Sequence, residues 1–211
     1  MQHAVAQALL DAQAVGYSAQ PITFKSGIKA PVYIDNRRLP FYPAAWHTVI
    51  AAMQHLLTVN ALAYDVIAGI ETAGIPHSAA LAYNLCCPSV FVRKQAKEHG
   101  LARRIEGGDV HGRRVLLVED QVTTGGSSLS GVLALRNAGA TVTDCLAITS
   151  YGFPEAAAAF GAAGVRLHTL TSVELILEVA QKSGTFDAAQ LHTIRAWLGD
   201  PRGWSERYQA E

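Results

Sequence analysis

The segment VLLVEDQVTTGGSS, Val115 to Ser128, concentrates the residues that could do chemistry. An apolar run ends in two acids, Glu119 and Asp120, and a turn rich in threonine, glycine and serine follows. Backbone N–H groups and hydroxyls from Thr123 to Ser127, placed at the start of a helix, would cradle a phosphate. The pattern is neither a Walker loop, since no lysine follows the glycines, nor a GxGxxG fingerprint. Two acids beside a bare phosphate would repel it. They fit a ligand that also presents hydroxyls, from which carboxylates accept hydrogen bonds, or one that carries a cation. A ribose with a 5-phosphate and a metal ion meets both conditions. The plainer alternative makes Glu119 and Asp120 helix-capping acids and Gly125-Gly126 an ordinary turn. The apolar strand before them and the TTGGSS turn after them weigh against it.

Two further constellations belong with the first. FVRKQAKEHG, Phe91 to Gly100, holds Arg93, Lys94, Lys97 and His99 within seven residues, in a chain with no net charge. It leads into a polar interruption from Gln95 to Arg114, 20 residues with four glycines. Cations on a long loop suit closure over a highly charged group such as diphosphate. The third is GIETAGIPHSAALA, Gly69 to Ala82, again a strand end, a small-residue turn and a helix start. Gly69 and Gly74 would let backbone approach a ligand closely.

These three sites need a frame that brings strand ends together. The chain supplies one. YDVIAGI, SVFVRK, RRVLLVED, TVTDCLAITSY and VRLHTLTSV are short, strongly apolar strands. IPHSAALAYNL, SLSGVLALRNAG and FPEAAAAFGAAG lie between them as helices, the second ending at Gly139. Apolar strands alternating with helices predict a parallel sheet covered on both faces, with ligands bound beyond the carboxyl ends of its strands. The acids are then expected where strand Val115–Val118 ends. Before this core come an N-terminal helix stopping ahead of Gly16, a hairpin-like unit through SAQPITFKSGIKAPVYIDNRRL, and a helix from Pro43 to about Thr58. TFDAAQLHTIRAWL is expected as a final helix after Gly184.

The composition narrows the class. Lys plus Arg and Asp plus Glu are both 17, so general nucleic-acid binding is not expected. The three cysteines, Cys86, Cys87 and Cys145, suggest no disulfide framework, and a reducing cytoplasm is the simplest setting. The N-terminus has no signal-peptide pattern, and no stretch of about 18 apolar residues could span a bilayer. His47, His55 and His77 lack metal-ligand spacing, and Trp46, Trp197 and Trp204 read as packing or interface residues.

Together the motifs resemble the type I phosphoribosyltransferases. VLLVEDQVTTGGSS is similar to their signature for 5-phosphoribosyl 1-diphosphate (PRPP). RKQAKEHG followed by IEG, with FKSGIKAPVYIDNR near the start, resembles the orotate branch of that family. The resemblance covers roughly residues 20 to 180. It implies an α/β fold with a mostly parallel central sheet of about five strands flanked by helices, under a small N-terminal hood. One domain would fill 1–211, with the hood from about 1–40 plus C-terminal elements and the core at about 43–180. It implies a homodimer in which the basic loop of one subunit covers its neighbour's site. The implied reaction joins orotate and PRPP to give orotidine 5′-monophosphate and diphosphate, with Mg²⁺.

Carried onto this sequence, the resemblance assigns the ribose hydroxyls, and any indirect hold on the metal, to Glu119 and Asp120. Gln121 and Val122 lead into the 5-phosphate turn of Thr123, Thr124, Gly125, Gly126 and Ser127. Thr123 would also approach orotate. Arg93, Lys94, Lys97 and His99 would bind diphosphate, with Lys97 or His99 supplying a proton and Asp120 beneath the ribose. Glu71, Thr72, Ala73 and Gly74 would form the diphosphate-side loop. Either Lys25 or Lys29 would reach PRPP or orotate. Where many orotate enzymes have an Asp-Arg pair whose arginine meets the orotate carboxylate, this chain reads Ser150-Tyr151, which leaves that contact unassigned. The rival readings are a phosphoribosyltransferase for another base and a PRPP-binding regulator that has lost catalysis.

Overall fold

The computed structural model describes residues 1–24, 26–95 and 104–210. An antiparallel pair, β1 (Val15–Thr23) and β2 (Lys29–Ile34), stands apart from the main sheet. The main sheet has six strands: β3 (Val66–Ile70), β4 (Ser89–Val92), β5 (Ile105–Glu106), β6 (Arg114–Val122), β7 (Thr141–Ser150) and β8 (Arg166–Ser172). Their spatial order is β5-β4-β3-β6-β7-β8, and every neighbouring pair is parallel except β4–β5. The eight α-helices of the described residues are α1 (Gln2–Asp11), α2 (Pro43–Val59), α3 (Gly74–Asn84), α4 (Gly126–Asn137), α5 (Pro154–Ala162), α6 (Val173–Ser183), α7 (Ala188–Gly199) and α8 (Pro201–Ala210). None is long and apolar enough to cross a membrane.

Side chains alternate across the strands and make a core on each face. Leu116, Val118, Leu146 and Ile148 pack with α1, α2 and α6, while Val115, Leu117, Cys145 and Ala147 pack with Val132 and Leu135 of α4 and Phe160 of α5. Both faces are therefore dry, which is why these strands read as unbroken apolar runs. The β1–β2 pair is held from the other end of the chain. The Trp197 indole N–H donates to the Lys29 carbonyl at 2.8 Å, and the Lys29 N–H donates to Ser205 Oγ at 3.0 Å. The hood thus combines β1–β2 with α7 and α8.

Five parallel strands flanked by helices match the sequence expectation, and two differences stand out. The polar interruption after β4 is not loop throughout. Ile105 and Glu106 pair antiparallel with Val92 and Phe91, and Val110 is buried. The strand expected through Val173 instead stops at Ser172, whose Oγ accepts the Leu175 N–H at 3.3 Å and caps α6.

Candidate active site

The site is built where β6 outruns its neighbour. β3 stays beside β6 only to Gly69 opposite Val118, whereas β6 and β7 remain paired to Val122 opposite Ser150. Strand β6 therefore does not stop at Val118 as expected. It carries Glu119 to Val122 past the end of β3, kept extended by β7 alone. Glu119 is only 5% exposed and sits next to Ser128 of α4, whose Oγ donates to its carboxylate at 3.3 Å. The Asp120 carbonyl accepts the amide of Asn36 at 3.0 Å, and Asn36 is wholly buried. Next to Asn36, His77 takes the indole N–H of Trp46 at 3.0 Å, and burial pushes its pKa down to about 4. His77 and Trp46 are thus neutral packing groups, as the sequence suggests.

Electrostatically the acid pair is under tension. Burial, and then the charge of Asp120, raises the Glu119 carboxyl above the ordinary carboxylate range. Burial likewise raises Asp120. Two adjacent carboxyls in this state favour anything that brings hydroxyl hydrogens or positive charge to them.

Around the acids lies a cleft of about 330 Å³. It is lined by Glu71, Thr72, Ala73 and Lys94 just beyond β3 and β4, by Glu119, Asp120 and Gln121 of β6, and by Thr123 and Ser127 of the turn that follows. Phe24, Ile34, Asp35 and Arg37 line it from the hood. The Thr123–Ser127 turn runs into α4 through Gly125, whose φ of +84° favours glycine, and no side chain caps that helix. Its first N–H groups are therefore available to an anion. The Val122 side chain is buried in the core, and its carbonyl accepts the Tyr151 N–H.

Gly69 and Gly74 also serve the packing of the site. A Cβ on Gly74 would meet the Val118 carbonyl oxygen at 2.6 Å, and one on Gly69 would meet the Gly74 carbonyl at 2.9 Å. These glycines let α3 press onto the strand ends, so that the Thr72–Ala73 turn reaches the cleft. The Glu71 carboxylate accepts the Lys94 N–H at 2.8 Å and ties that turn to the end of β4.

A second cleft, of about 340 Å³, shares Lys94 and Ser127 with the first and adds Arg93, Arg104 and Ser130. Arg93 is 3.7 Å from Glu106. Arg104 donates to the Arg93 carbonyl at 2.8 Å and to Ser130 Oγ at 3.0 Å, which fixes the returning chain against α4. Sequence reading passed over Arg104 and Asn36. For Asn36 and Arg37 a signal existed in the quoted IDNR, but only the fold brings that tetrapeptide to the acids. Lys29 does not line the cleft: its amino group lies 5.4 Å from the Tyr208 ring centroid. Lys25, Lys97 and His99 lie outside the described residues.

A phosphate-type turn, a buried acid beside a half-buried one and a small-residue turn meeting at one edge of a parallel sheet define a phosphoribosyltransferase. The phosphoribosyl transferase domain family matches residues 51–151. The orotate phosphoribosyltransferase of Coxiella burnetii is 41% identical over 95% of this chain and 96% of its own. Among solved structures, Leishmania donovani UMP synthase superposes with a TM-score of 0.82 at 29% identity, over 94% of this chain and 42% of that longer one. The Aeropyrum pernix orotate phosphoribosyltransferase gives 0.74 at 28% identity, over 87% and 99%. The chain belongs to the orotate phosphoribosyltransferase family.

Proposed function

We propose that the protein transfers the 5-phosphoribosyl group of PRPP to N1 of orotate, releasing diphosphate and forming orotidine 5′-monophosphate for pyrimidine biosynthesis. The observation that carries this reading is the convergence of the Thr72–Ala73 turn, the Glu119–Asp120 pair and the Thr123–Ser127 turn on one cleft. The Thr123–Ser127 turn takes the 5-phosphate, and the two acids take the ribose hydroxyls. The Thr72–Ala73 turn and Lys94 face the diphosphate. As the bond from C1 to diphosphate breaks, positive charge grows on the sugar and negative charge on the leaving group. The protein need supply no nucleophile; it stabilises both charges and keeps water away. Asp120 offsets the sugar charge. Arg93, Lys94, Lys97 and His99 offset the leaving group, with Lys97 or His99 as proton donor. Of the two candidate lysines for the substrates, Lys29 stands over Tyr208 and outside the cleft lining, which favours Lys25 in that role.

Among the described residues no three acids, histidines or cysteines cluster to cage a metal. The mutually repelling pair of buried Glu119 and half-buried Asp120 suits a Mg²⁺ ion that arrives on substrate oxygens, with these acids reached through hydroxyls or water. When bound, the ion would help neutralise the diphosphate. We further propose a cytoplasmic, single-domain protein that works as a homodimer with the basic loop shared between subunits, independent of nucleic acid and membrane.

The test is spectroscopic. Orotate absorbance should fall in the presence of PRPP and Mg²⁺, and stay constant without metal or without PRPP. Hypoxanthine and adenine should not be consumed. Turnover of a purine in preference to orotate would overturn the reading.

A further inference from the structure

We infer that Arg37 is the residue that recognises the carboxylate of the acceptor base. The inference rests on orotate being the acceptor, as proposed above, and deepens that reading.

Orotate differs from a neutral pyrimidine by a carboxylate next to the nitrogen that attacks. The cleft it must enter is rich in acids: Asp35, Glu71, Glu119 and Asp120 all line it. An anionic base entering there needs a matching cation. Among the described residues, two cations line the cleft, Lys94 and Arg37. Lys94 also lines the second cleft with Arg93 and Arg104, at the cation-rich end suited to diphosphate. Arg37 lines only the first. It shares the hood side with Phe24 and Ile34, whose apolar surfaces suit the faces of a flat ring.

The local structure holds Arg37 ready for this task. It lies in a short 3₁₀ turn, Asn36–Phe41, which Asp35 caps by accepting the Arg37 backbone N–H at 3.3 Å. The same Asp35 oxygen accepts Nε–H of Arg37 at 2.5 Å. That bond fixes the guanidinium by its inner nitrogen and leaves both Nη groups without a described partner. Two parallel N–H groups of this kind match a carboxylate bidentately, in a way no lysine reproduces. The side chain is 66% exposed, so an incoming ligand has access to it. Neighbouring Asn36 donates to the Asp120 carbonyl, which sets Arg37 one residue from a group fastened to the ribose floor. The alternative position cannot serve. Tyr151 is 2% exposed, enclosed by the rings of Phe24, Phe153 and Trp197 at 5.3 to 5.7 Å.

The experiment compares wild type, Arg37→Gln and Arg37→Lys in steady-state turnover and in inhibition by the neutral carboxamide of orotate. Wild type should turn over orotate and prefer carboxylate over carboxamide by at least about tenfold. In Arg37→Gln, KM for orotate should rise about tenfold or more, KM for PRPP should stay within about twofold, and the preference should largely vanish. Arg37→Lys should restore part of it. An Arg37→Gln enzyme that keeps the preference, or that loses orotate and PRPP equally, would overturn the assignment. A wild-type protein with no orotate turnover would overturn the proposed activity itself, a result distinct from either.

Discussion

Glu119 is an acid that the fold would rather keep protonated. Its carboxyl is raised by burial and by Asp120, so an unfolded chain releases this proton at lower pH than the native protein does. The native state therefore holds more protons above the ordinary glutamate range, and its stability falls as pH climbs from there to the raised native value. Glu119→Gln removes the effect. Urea unfolding of the unliganded protein at about pH 5 and about pH 8 should show the variant losing less stability than wild type, by about 1–3 kcal/mol, while its turnover drops by about 10²-fold or more. A variant with the wild-type pH slope would mean that Glu119 is ionised at no cost. Asn36 offers a second test. Asn36→Ala removes the amide that satisfies the Asp120 carbonyl, so it should cost about 1–3 kcal/mol in thermal or urea unfolding. It should also weaken PRPP binding more than it weakens the fold. Residue types at this scale were legible where a short motif contained them. The acids, the Thr123–Ser127 turn and Lys94 all reach one cleft. The IDNR motif contained Asn36 and Arg37 but did not show that they reach the acids, because that depends on a contact spanning 84 positions.

At the scale of elements, the loops do their work through close backbone packing. Gly125 stands in the left-handed region, and a Cβ there would lie 3.0 Å from Phe160 Cε2. Gly125→Ala should cost about 1–2 kcal/mol of stability and shift the helix start off the phosphate, raising KM for PRPP. Unchanged KM with reduced stability would separate the turn's folding role from its binding role. Gly74→Ala should be worse for the fold, about 1–3 kcal/mol in urea unfolding, because the added methyl meets a backbone oxygen that cannot move aside. Strand and helix identities were readable because both faces of the sheet are buried. Where the structure departs from pattern, neighbours decide. β6 continues through two acids because β7 offers hydrogen bonds to Ser150, and β5 exists because β4 has a free edge. α6 carried a readable signal in its Ser172 cap and in Val173, Ile176, Leu177 and Ala180. α8, with proline, glycine and few apolar residues, had almost none.

At the scale of the whole molecule, the proposed sharing of the basic loop between subunits makes a sharp prediction. Lys97→Ala and Asp120→Asn proteins should each be nearly inactive alone. After mixing through reversible dissociation, half of the dimers are hybrids, and each hybrid has one site with both residues intact. Turnover should recover to about a quarter of the wild-type value, from statistical pairing in a closed two-fold assembly. A mixture that stayed inactive would place each loop over its own subunit's site.

The bond from Asn36 to Asp120 has one more effect. It links the hood side of the cleft, proposed to meet the base, to the acid pair, proposed to meet the sugar. On that reading, filling one half of the cleft should change the affinity of the other, and thermodynamic reciprocity would make the change equal in both directions. The acceptor's fit and the donor's grip would then become a single property of the enzyme, adjustable from either side.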